Sequence, residues 1–490
     1  MTTAASPGIL AFGAYVPRRR LQRQAVVEAV GWFNPALKAL GKGERAMANW
    51  DEDALTLAVA AARKCLPPAA RADVDAIFAV STSFPFADRQ NSAVLAEALR
   101  LPSSSRSLDI GGSRRAATGA LISALDRATG GGSTLIVASE RRQARAASRQ
   151  ELLYGDAAAA LVIGEGDALA VPVGTVCTID DFVDQFREQG RHFDYAWEDR
   201  WIRDEGLVPI LAASIKAVLE RSGIAPSSIS RLCLPAAASG AAARAIAKSC
   251  SIAPTALHDE LTSTVGDAGC AQPLLALIDA LEDARPGDLI LVASFGQGSD
   301  ALIFEATDAL HGAAREHGVK AAVAHRTAET NYFRYLALNE LVELDRGMRA
   351  EVDKATALSA LHRHRDMVAL VGGRCTTCRT PQFPRSRVCV NPACQAVGEQ
   401  EPYGFADLIG TLQSFTADVL TYCPDPPQYY GMVQFDGGGR FMADLTDVLD
   451  SELQVGQPVE MAFRIKERDA TRGFRRYFWK AVPRVAESRT

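Results

Sequence analysis

The chain has 490 residues, 48% of them hydrophobic and 23% charged, with a formal net charge of −5. That length exceeds one hydrophobic core and implies about two to four domains. The mild acidity offers no basic footprint for nucleic acid as the main partner, and no apolar run approaches the ~18 residues that read as a membrane span. The start, MTTAASPGILAFGAYVP, runs straight into a strand-like stretch without the basic–apolar–small order of a signal peptide, so a cytoplasmic location is expected.

In chain order, a helical pattern from Asp51 (DEDALTLAVAAARKCL) is followed by the apolar run AIFAVSTS from Ala76. Much later the same order returns as VPILAASIKAVLERSG from Val208 and RLCLPAAAS from Arg231. A second echo pairs GALISALDRATGGGSTLIVAS from Gly119 with LLALIDALEDARPGDLILVAS from Leu274. Each echo then returns as a short apolar strand, GDAAAALVIG from Gly155 and GSDALIFEA from Gly298. Helical three- and four-residue spacing alternating with continuous apolar strand runs indicates buried strands covered by helices. The first ~310 residues therefore read as a duplicated, layered α/β fold, with halves at 1–165 and 166–310. Residues 178–205 interrupt the second half with aromatics and charge, a pattern that reads as a helical surface excursion.

Residues 311–370 read as a charged helical linker, with NYFRYLALNELVEL as a docking helix. Residues 371–397 carry Cys375, Cys378, Cys389 and Cys394 in two short knuckles separated by a turn-sized loop. Four thiolates so spaced can surround one zinc ion and leave no open position, which assigns the metal to folding rather than catalysis. The other six cysteines, Cys270 among them, are scattered and read as small core residues. Residues 398–490 show strand-like runs separated by turn clusters at 424–427 and 436–439, a small all-β barrel. Arg472, Arg475, Arg476 and Lys480 beside Tyr477 to Trp479 admit a nucleic-acid reading of that barrel.

The stretch SLDIGGSRRAATGAL from Ser107 resembles the turn and helix that carry the reactive cysteine of thiolase-superfamily enzymes. The likeness is to the 3-hydroxy-3-methylglutaryl-CoA synthase and β-ketoacyl synthase III branches, and GILAFGAYVPRRR and ANWDEDALTLAVAAAR extend it. The ribbon and barrel resemble the zinc-ribbon/OB-fold family that accompanies thiolase-like acyl-CoA enzymes. The resemblance implies a thiolase fold, a CoA thioester substrate, structural Zn2+ and a homodimer formed through the thiolase-like part, and it makes a wall of the substrate tunnel the alternative to a helical surface excursion for residues 178–205. It also locates departures. The cysteine position holds Arg114, the glutamate position Thr82, the histidine position Ala236 and the asparagine position Asp267. Gly155, Asp156, Gly296 and Gly298 remain as a shell whose glycines let backbone approach a thioester oxygen.

An acyl-enzyme needs an activated thiolate, and arginine offers no lone pair. An aldol or retro-aldol reaction on a hydroxyacyl-CoA needs none. On that reading Asp267 is the base, Arg114 binds the enolate or a substrate carboxylate, and Tyr154, Thr82 and Ser113 orient the hydroxyl. Two alternatives stand beside it: a non-catalytic acyl-CoA-binding or scaffold member of a thiolase-like complex, and a synthase-like acyltransferase with altered residues. Asp267 as a turn residue, Arg114 as an ion pair with Asp156 or Asp267, and His258 as a surface or capping group are the plain structural readings. An open tunnel would favour an enzyme, and side chains filling the pocket would favour a scaffold.

Overall fold

The computed structural model describes residues 7–259, 261–313, 315–344, 364–398, 400–448, 453–469 and 473–484. Arg472 and residues 345–363 of the expected linker lie outside the described residues. The chain divides into two compact units, one of residues 1–49, 53–96 and 101–342, the other of 50–52, 97–100 and 343–490.

The first unit is built on a nine-stranded sheet. Its strands are β1 (Pro7–Tyr15), β2 (Ala76–Val80), β3 (Arg106–Ile110), β4 (Thr134–Glu140), β5 (Ala157–Glu165), β6 (Ala170–Ile179), β7 (Ile229–Cys233), β8 (Leu289–Phe295) and β9 (Gly298–Ala306). They lie in the order β7-β8-β9-β6-β1-β5-β4-β2-β3. The duplication seen in sequence is a duplication of pairing. In one half β2 runs parallel to β4 and β4 antiparallel to β5. In the other β7 runs parallel to β8 and β8 antiparallel to β9. The halves meet where Ile9 of β1 pairs with Ala170 of β6.

Five principal helices cover the sheet: α1 (Ala54–Cys65), α2 (Ala116–Ala128), α3 (Val208–Ser222), α4 (Ala241–Ser249) and α5 (Gln272–Asp283). The DEDALT stretch starts α1 because the Asp53 carboxylate accepts from the amides of Leu55 and Thr56, while Thr56 Oγ1 accepts from the amide of Asp53. That reciprocal cap satisfies amides the helix itself cannot. The two echoed helices, α2 and α5, share one core. On α2 the buried face is Ala117, Ala120, Leu121 and Ala124, small residues that allow close packing. On α5 every residue from Gln272 to Glu282 is buried. Leu277→Ala would therefore cost roughly 2–5 kcal/mol, because the hole has no solvent to fall back on. Strands β2, β4 and β5 are buried almost throughout, as continuous apolar runs require.

The expected docking helix is present as Tyr332–Leu338, with Tyr335 and Leu338 buried. Residues 178–205 are largely irregular rather than helical. A two-residue ladder pairs Gln185–Phe186 with Tyr195–Ala196, and only Asp199–Trp201 forms a short helical turn before the π-helical Ile202–Leu207. Charge and glycine at 180–194 give neither helical nor strand periodicity.

In the second unit, a three-stranded ribbon (Val371–Cys375, Pro381–Gln382, Gln400–Gly404) precedes five antiparallel strands. These are β10 (Gly410–Asp418), β11 (Gln428–Phe435), β12 (Arg440–Asp444), β13 (Pro458–Asp469) and β14 (Phe474–Pro483). Their order is β12-β11-β10-β13-β14, and a bridge from Leu445 to Ala481 draws the far edges together into an OB-type barrel. Leu412, Val433, Phe463, Ile465 and Trp479 fill it. Tyr477 and Trp479 are 4% and 1% exposed, so they pack the barrel instead of offering faces to bases, and Arg476 pairs with Glu467. These contacts remove the stacking platform from the nucleic-acid reading. No described helix is long and apolar enough to cross a membrane.

Candidate active site

The turn from β3 into α2 is fixed from the opposite half. Ser113 Oγ donates to the Gly296 carbonyl at 3.0 Å, and Arg115 reaches Asp300 of β9 at 2.7 Å. Thr118 Oγ1 donates to the other Asp300 oxygen at 2.6 Å. With Ser113 and Arg115 so held, Arg114 is left to pair with Asp184, a residue of segment 178–205. Burial pulls the Arg114 guanidinium below its ordinary range and nearby Arg142 adds to this, while Asp267 opposes it.

Arg142 is the centre of the cluster and is nearly inaccessible, with 1% of its side chain exposed. It meets the Asp267 carboxylate at 3.0 Å, donates to the Asp267 carbonyl at 2.7 Å, lies 3.6 Å from Glu140, and covers the Tyr154 ring at 3.8 Å. Burial would lower its pKa, but Asp267, Tyr154 and Glu140 outweigh burial and hold it raised. Burial likewise tends to raise Asp267, but Arg142 and Arg114 overcome that and keep its carboxyl below the usual range. An amide donated by Gly269 at 2.9 Å works in the same direction. Burial pushes the Tyr154 phenol up, and it donates to Asp194 at 2.8 Å. At the end of β4, Glu140 accepts from Ser81 Oγ at 3.0 Å, from the Thr82 amide at 2.6 Å and from Thr82 Oγ1 at 2.7 Å. A carboxylate with this many donors is committed to structure as much as to chemistry.

Thr82, Ser113, Arg114, Tyr154 and Asp267 thus belong to one region. Arg114 and Asp267 line a recess of about 10 Å³, room for one water, whose other walls include Ala236, Gly269, Ser294 and Phe295. The shell residues need correcting. A Cβ on Gly155 would sit 2.0 Å from the Val265 carbonyl, so this glycine admits the facing loop, whose Asp267 carbonyl accepts from the Gly155 amide at 3.0 Å. Gly298, at φ +112°, lies just as close to the Thr178 carbonyl, and Gly296 packs on Ser113 Oγ. The space reserved for a thioester oxygen at these glycines is taken by protein atoms. Asp156 is buried away from the recess, accepting from the Ala48 amide at 2.7 Å and facing Arg45 at 3.7 Å. His258 pairs with Asp279 in the interior of α5 at 2.7 Å, both side chains enclosed, so it is a buried ion-pair partner and neither the surface nor the capping group expected of it. Arg114 does form an ion pair, but its partner is Asp184 rather than Asp156 or Asp267.

Sequence reasoning missed Glu140, Arg142, Asp184, Arg187 and Asp194. Arg187 donates to the Thr82 carbonyl and faces Asp194 at 3.3 Å. A signal existed in the charges that break an apolar strand end, IVASERRQAR, but nothing in the sequence says which acid meets which arginine. Cys270 was read as core and is core, yet it lies beside Glu140. Burial first, then Glu140, holds its thiol well above the ordinary range, and the sulfur also lies 3.7 Å from the Val80 carbonyl and 3.9 Å from that of Ser139. Such a thiol stays protonated and unreactive.

In the second unit the four sulfurs of Cys375, Cys378, Cys389 and Cys394 lie within 4.8 Å of one another. Cys375 to Cys394 is 3.9 Å and Cys378 to Cys389 is 3.5 Å. Four sulfurs at tetrahedral metal–thiolate distance stand about 3.8 Å apart, so the set fits a single ion.

A duplicated α/β unit joined to a four-cysteine ribbon and an OB-type barrel defines a thiolase-like chain with an OB-fold partner domain. Comparison with known proteins agrees at both ends. Residues 406–464 match the family described as the ChsH2 C-terminal OB-fold domain. The hydroxymethylglutaryl-CoA synthase of Aeropyrum pernix is 31% identical over 320 residues, 63% of this chain and 87% of that one. The chain therefore belongs to the hydroxymethylglutaryl-CoA synthase family. Among solved structures, an HMG-CoA synthase complexed with CoA matches with TM-score 0.60 at 17% identity, covering 72% of this chain and 95% of that one. The 3-oxoacyl-[acyl-carrier-protein] synthase III of Aquifex aeolicus matches with TM-score 0.53 at 18% identity, covering 61% and 100%. At those identities the two structures establish the shared fold.

Proposed function

We propose that this chain is a thiolase-superfamily enzyme that makes or breaks a carbon–carbon bond on an acyl-CoA thioester without a cysteine nucleophile, by an aldol or retro-aldol route. The observation that carries the reading is the recess itself: a cation, Arg114, and a carboxylate, Asp267, share its wall, and no thiol lines it. In the cleavage direction Asp267 takes the proton of the 3-hydroxyl. The carbonyl fragment leaves as the carbon–carbon bond breaks, and its electron pair becomes the thioester enolate. Arg114 stabilises the enolate oxygen, and return of the proton to carbon gives the shortened acyl-CoA. Thr82, Ser113 and Tyr154 supply hydroxyls for orientation. Kinship with enzymes named for hydroxymethylglutaryl-CoA supports a CoA thioester substrate, and a structural Zn2+ would occupy the four cysteines. A homodimer in the cytoplasm, without nucleic-acid or membrane partners, completes the proposal.

A second reading, thioester binding without turnover, is favoured by one specific observation. The charges of the cluster are paired with one another, and the recess they leave, about 10 Å³, has room for one water. Turnover of 3-hydroxyacyl-CoA and 3-oxoacyl-CoA panels by zinc-loaded protein, with and without free CoA, separates the cases. Cleavage of a hydroxyacyl-CoA without added CoA is the expected result. CoA-dependent cleavage of an oxoacyl-CoA, or condensation of acetyl-CoA with acetoacetyl-CoA, would place the chain with the acyl-transferring members instead. Binding with no turnover would leave the second reading standing.

A further inference from the structure

Segment 178–205 does more than pass near the recess, because three of its polar contacts end on proposed site residues. Asp184 pairs with Arg114, Arg187 donates to the Thr82 carbonyl, and Asp194 accepts from Tyr154. The apolar anchors of the segment lie at its ends. Phe182 stacks on Trp201 at 4.4 Å and approaches Phe295 at 6.3 Å, and Leu207 is buried. Between these ends Phe186, Tyr195 and Trp197 face outward, 49–56% exposed. Phe193 alone among the aromatics of the middle is half-buried, with the Arg145 guanidinium 5.5 Å over its ring, so the middle of the segment is held down chiefly by charged groups.

The Asp184 carboxylate is itself poorly provided for. Its side chain is 3% exposed, yet Oδ1 has no hydrogen-bond partner among the described residues, and neither does Nη1 of the buried Arg142. A half-satisfied buried carboxylate is costly to keep, so a ligand that brings its own negative charge to Arg114 meets a weakly defended occupant.

We propose that Asp184 is a built-in stand-in for the enolate oxygen of a CoA thioester, and that the residue 184–197 tip is a lid which that ligand charge displaces from Arg114. The inference rests on the aldol reading and adds to it which residue holds the site shut and which ligand chemistry opens it. The apolar walls beside Arg114, Ala236 and Phe295, suit the uncharged part of such a ligand.

The test uses two stable thioethers: carboxymethyl-CoA, whose carboxylate stands where the enolate oxygen would, and the neutral carboxamidomethyl-CoA. Wild-type protein is expected to bind the carboxylate at least tenfold more tightly. Asp184→Asn should raise affinity for it a further tenfold or more while leaving the amide unchanged, because an internal competitor has gone. Hydrogen exchange of wild-type residues 184–197 needs no variant, and it should accelerate with carboxymethyl-CoA alone. Equal affinity for the two thioethers, no selective gain in the variant, or unchanged exchange on saturation would each overturn the lid. Failure of both thioethers to bind would overturn it too. Hydroxyacyl-CoA turnover is measured separately, so the aldol reading can survive the loss of the lid.

Discussion

In the first unit Arg114, Arg142 and Arg187 face Asp184, Asp267, Glu140 and Asp194, carboxylates of the same unit. In the second unit Cys375, Cys378, Cys389 and Cys394 face chiefly one another. Both are clusters of groups that are costly to bury, and they are completed in different ways. The arginines are neutralised by neighbours folded around them, so the first cluster is closed before any ligand arrives. Four thiolates repel one another and are stable together only around a cation supplied from outside. The first cluster should therefore resist solution conditions and fail on mutation, whereas the second should fail when its ion is removed.

The largest effect is expected at the cysteines. Structural zinc sites contribute about 10 kcal/mol to folding at neutral pH, so chelation or Cys378→Ser should unfold the ribbon. The measurement is metal content beside amide exchange over residues 371–404. Full protection there in metal-free protein would break the comparison, by showing that the ribbon closes without help. Arg142→Met follows. It strips Asp267 and Glu140 of a buried counter-charge, and one-sided loss of such a pair costs about 3–5 kcal/mol. Denaturant melts should show this, and adding Asp267→Asn should return part of it because the two changes share one interaction. Additive losses would mean that the pair is not coupled.

The same contrast explains what could be read in advance. The four cysteines announced themselves because the ligands of a ribbon are close in sequence and their chemistry is narrow. The duplicated sheet was legible for a related reason: α2–β4 and α5–β8 repeat their apolar spacing within continuous stretches. Arg114 was located by its place in SLDIGGSRRAATGAL, and Asp267 by its turn. Their partners were not legible, since Arg142 meets Asp267 across 125 residues and Thr82 meets Glu140 across 58. An ion pair carries no periodicity, and a partner can be named only after the fold has chosen it. The glycines misled for the opposite reason. Gly155 does mark a close approach, but a glycine does not say whether a ligand or the chain's own backbone is what comes near.

A buried acid outside the cluster sharpens the comparison through pH. Glu151 accepts from Tyr332 Oη at 3.0 and 3.1 Å and from the Ala147 amide at 2.7 Å, but burial still pushes it up to about 7. Above its ordinary value the unfolded chain releases this proton first, so stability should fall as pH rises from about 4.5 to 7, by something on the order of 3 kcal/mol. Asp267 works the other way. Its stabilising contribution is complete above the usual carboxylate range and is lost only as pH falls through its depressed value. Glu151→Gln should flatten the loss between pH 5 and 7 and leave acid unfolding in place. An unchanged slope in the variant would show that Glu151 ionises freely in the folded protein.

The smallest expected effect decides the most about chemistry. Cys270 is the thiol beside Glu140, and a thiolate there would turn a closed ionic cluster back into a nucleophilic site. Its surroundings oppose that, since burial and the Glu140 carboxylate both hold the proton on sulfur. Cys270→Ala removes one buried sulfur, and its stability cost should be about 1 kcal/mol, near that of a deleted methyl group. If the reaction runs through an enolate held by Arg114, kcat with a hydroxyacyl-CoA should stay within about twofold, while Arg114→Met should lower it by a hundredfold or more, the scale set by loss of an oxyanion donor. Trapping with radiolabelled acyl-CoA should leave no acid-stable acyl group on either protein. Loss of turnover in Cys270→Ala together with a trapped acyl-enzyme in the wild type would reverse the assignment. The arginine cluster would then be the means of activating a concealed thiol, and its self-neutralising charges would need that second explanation.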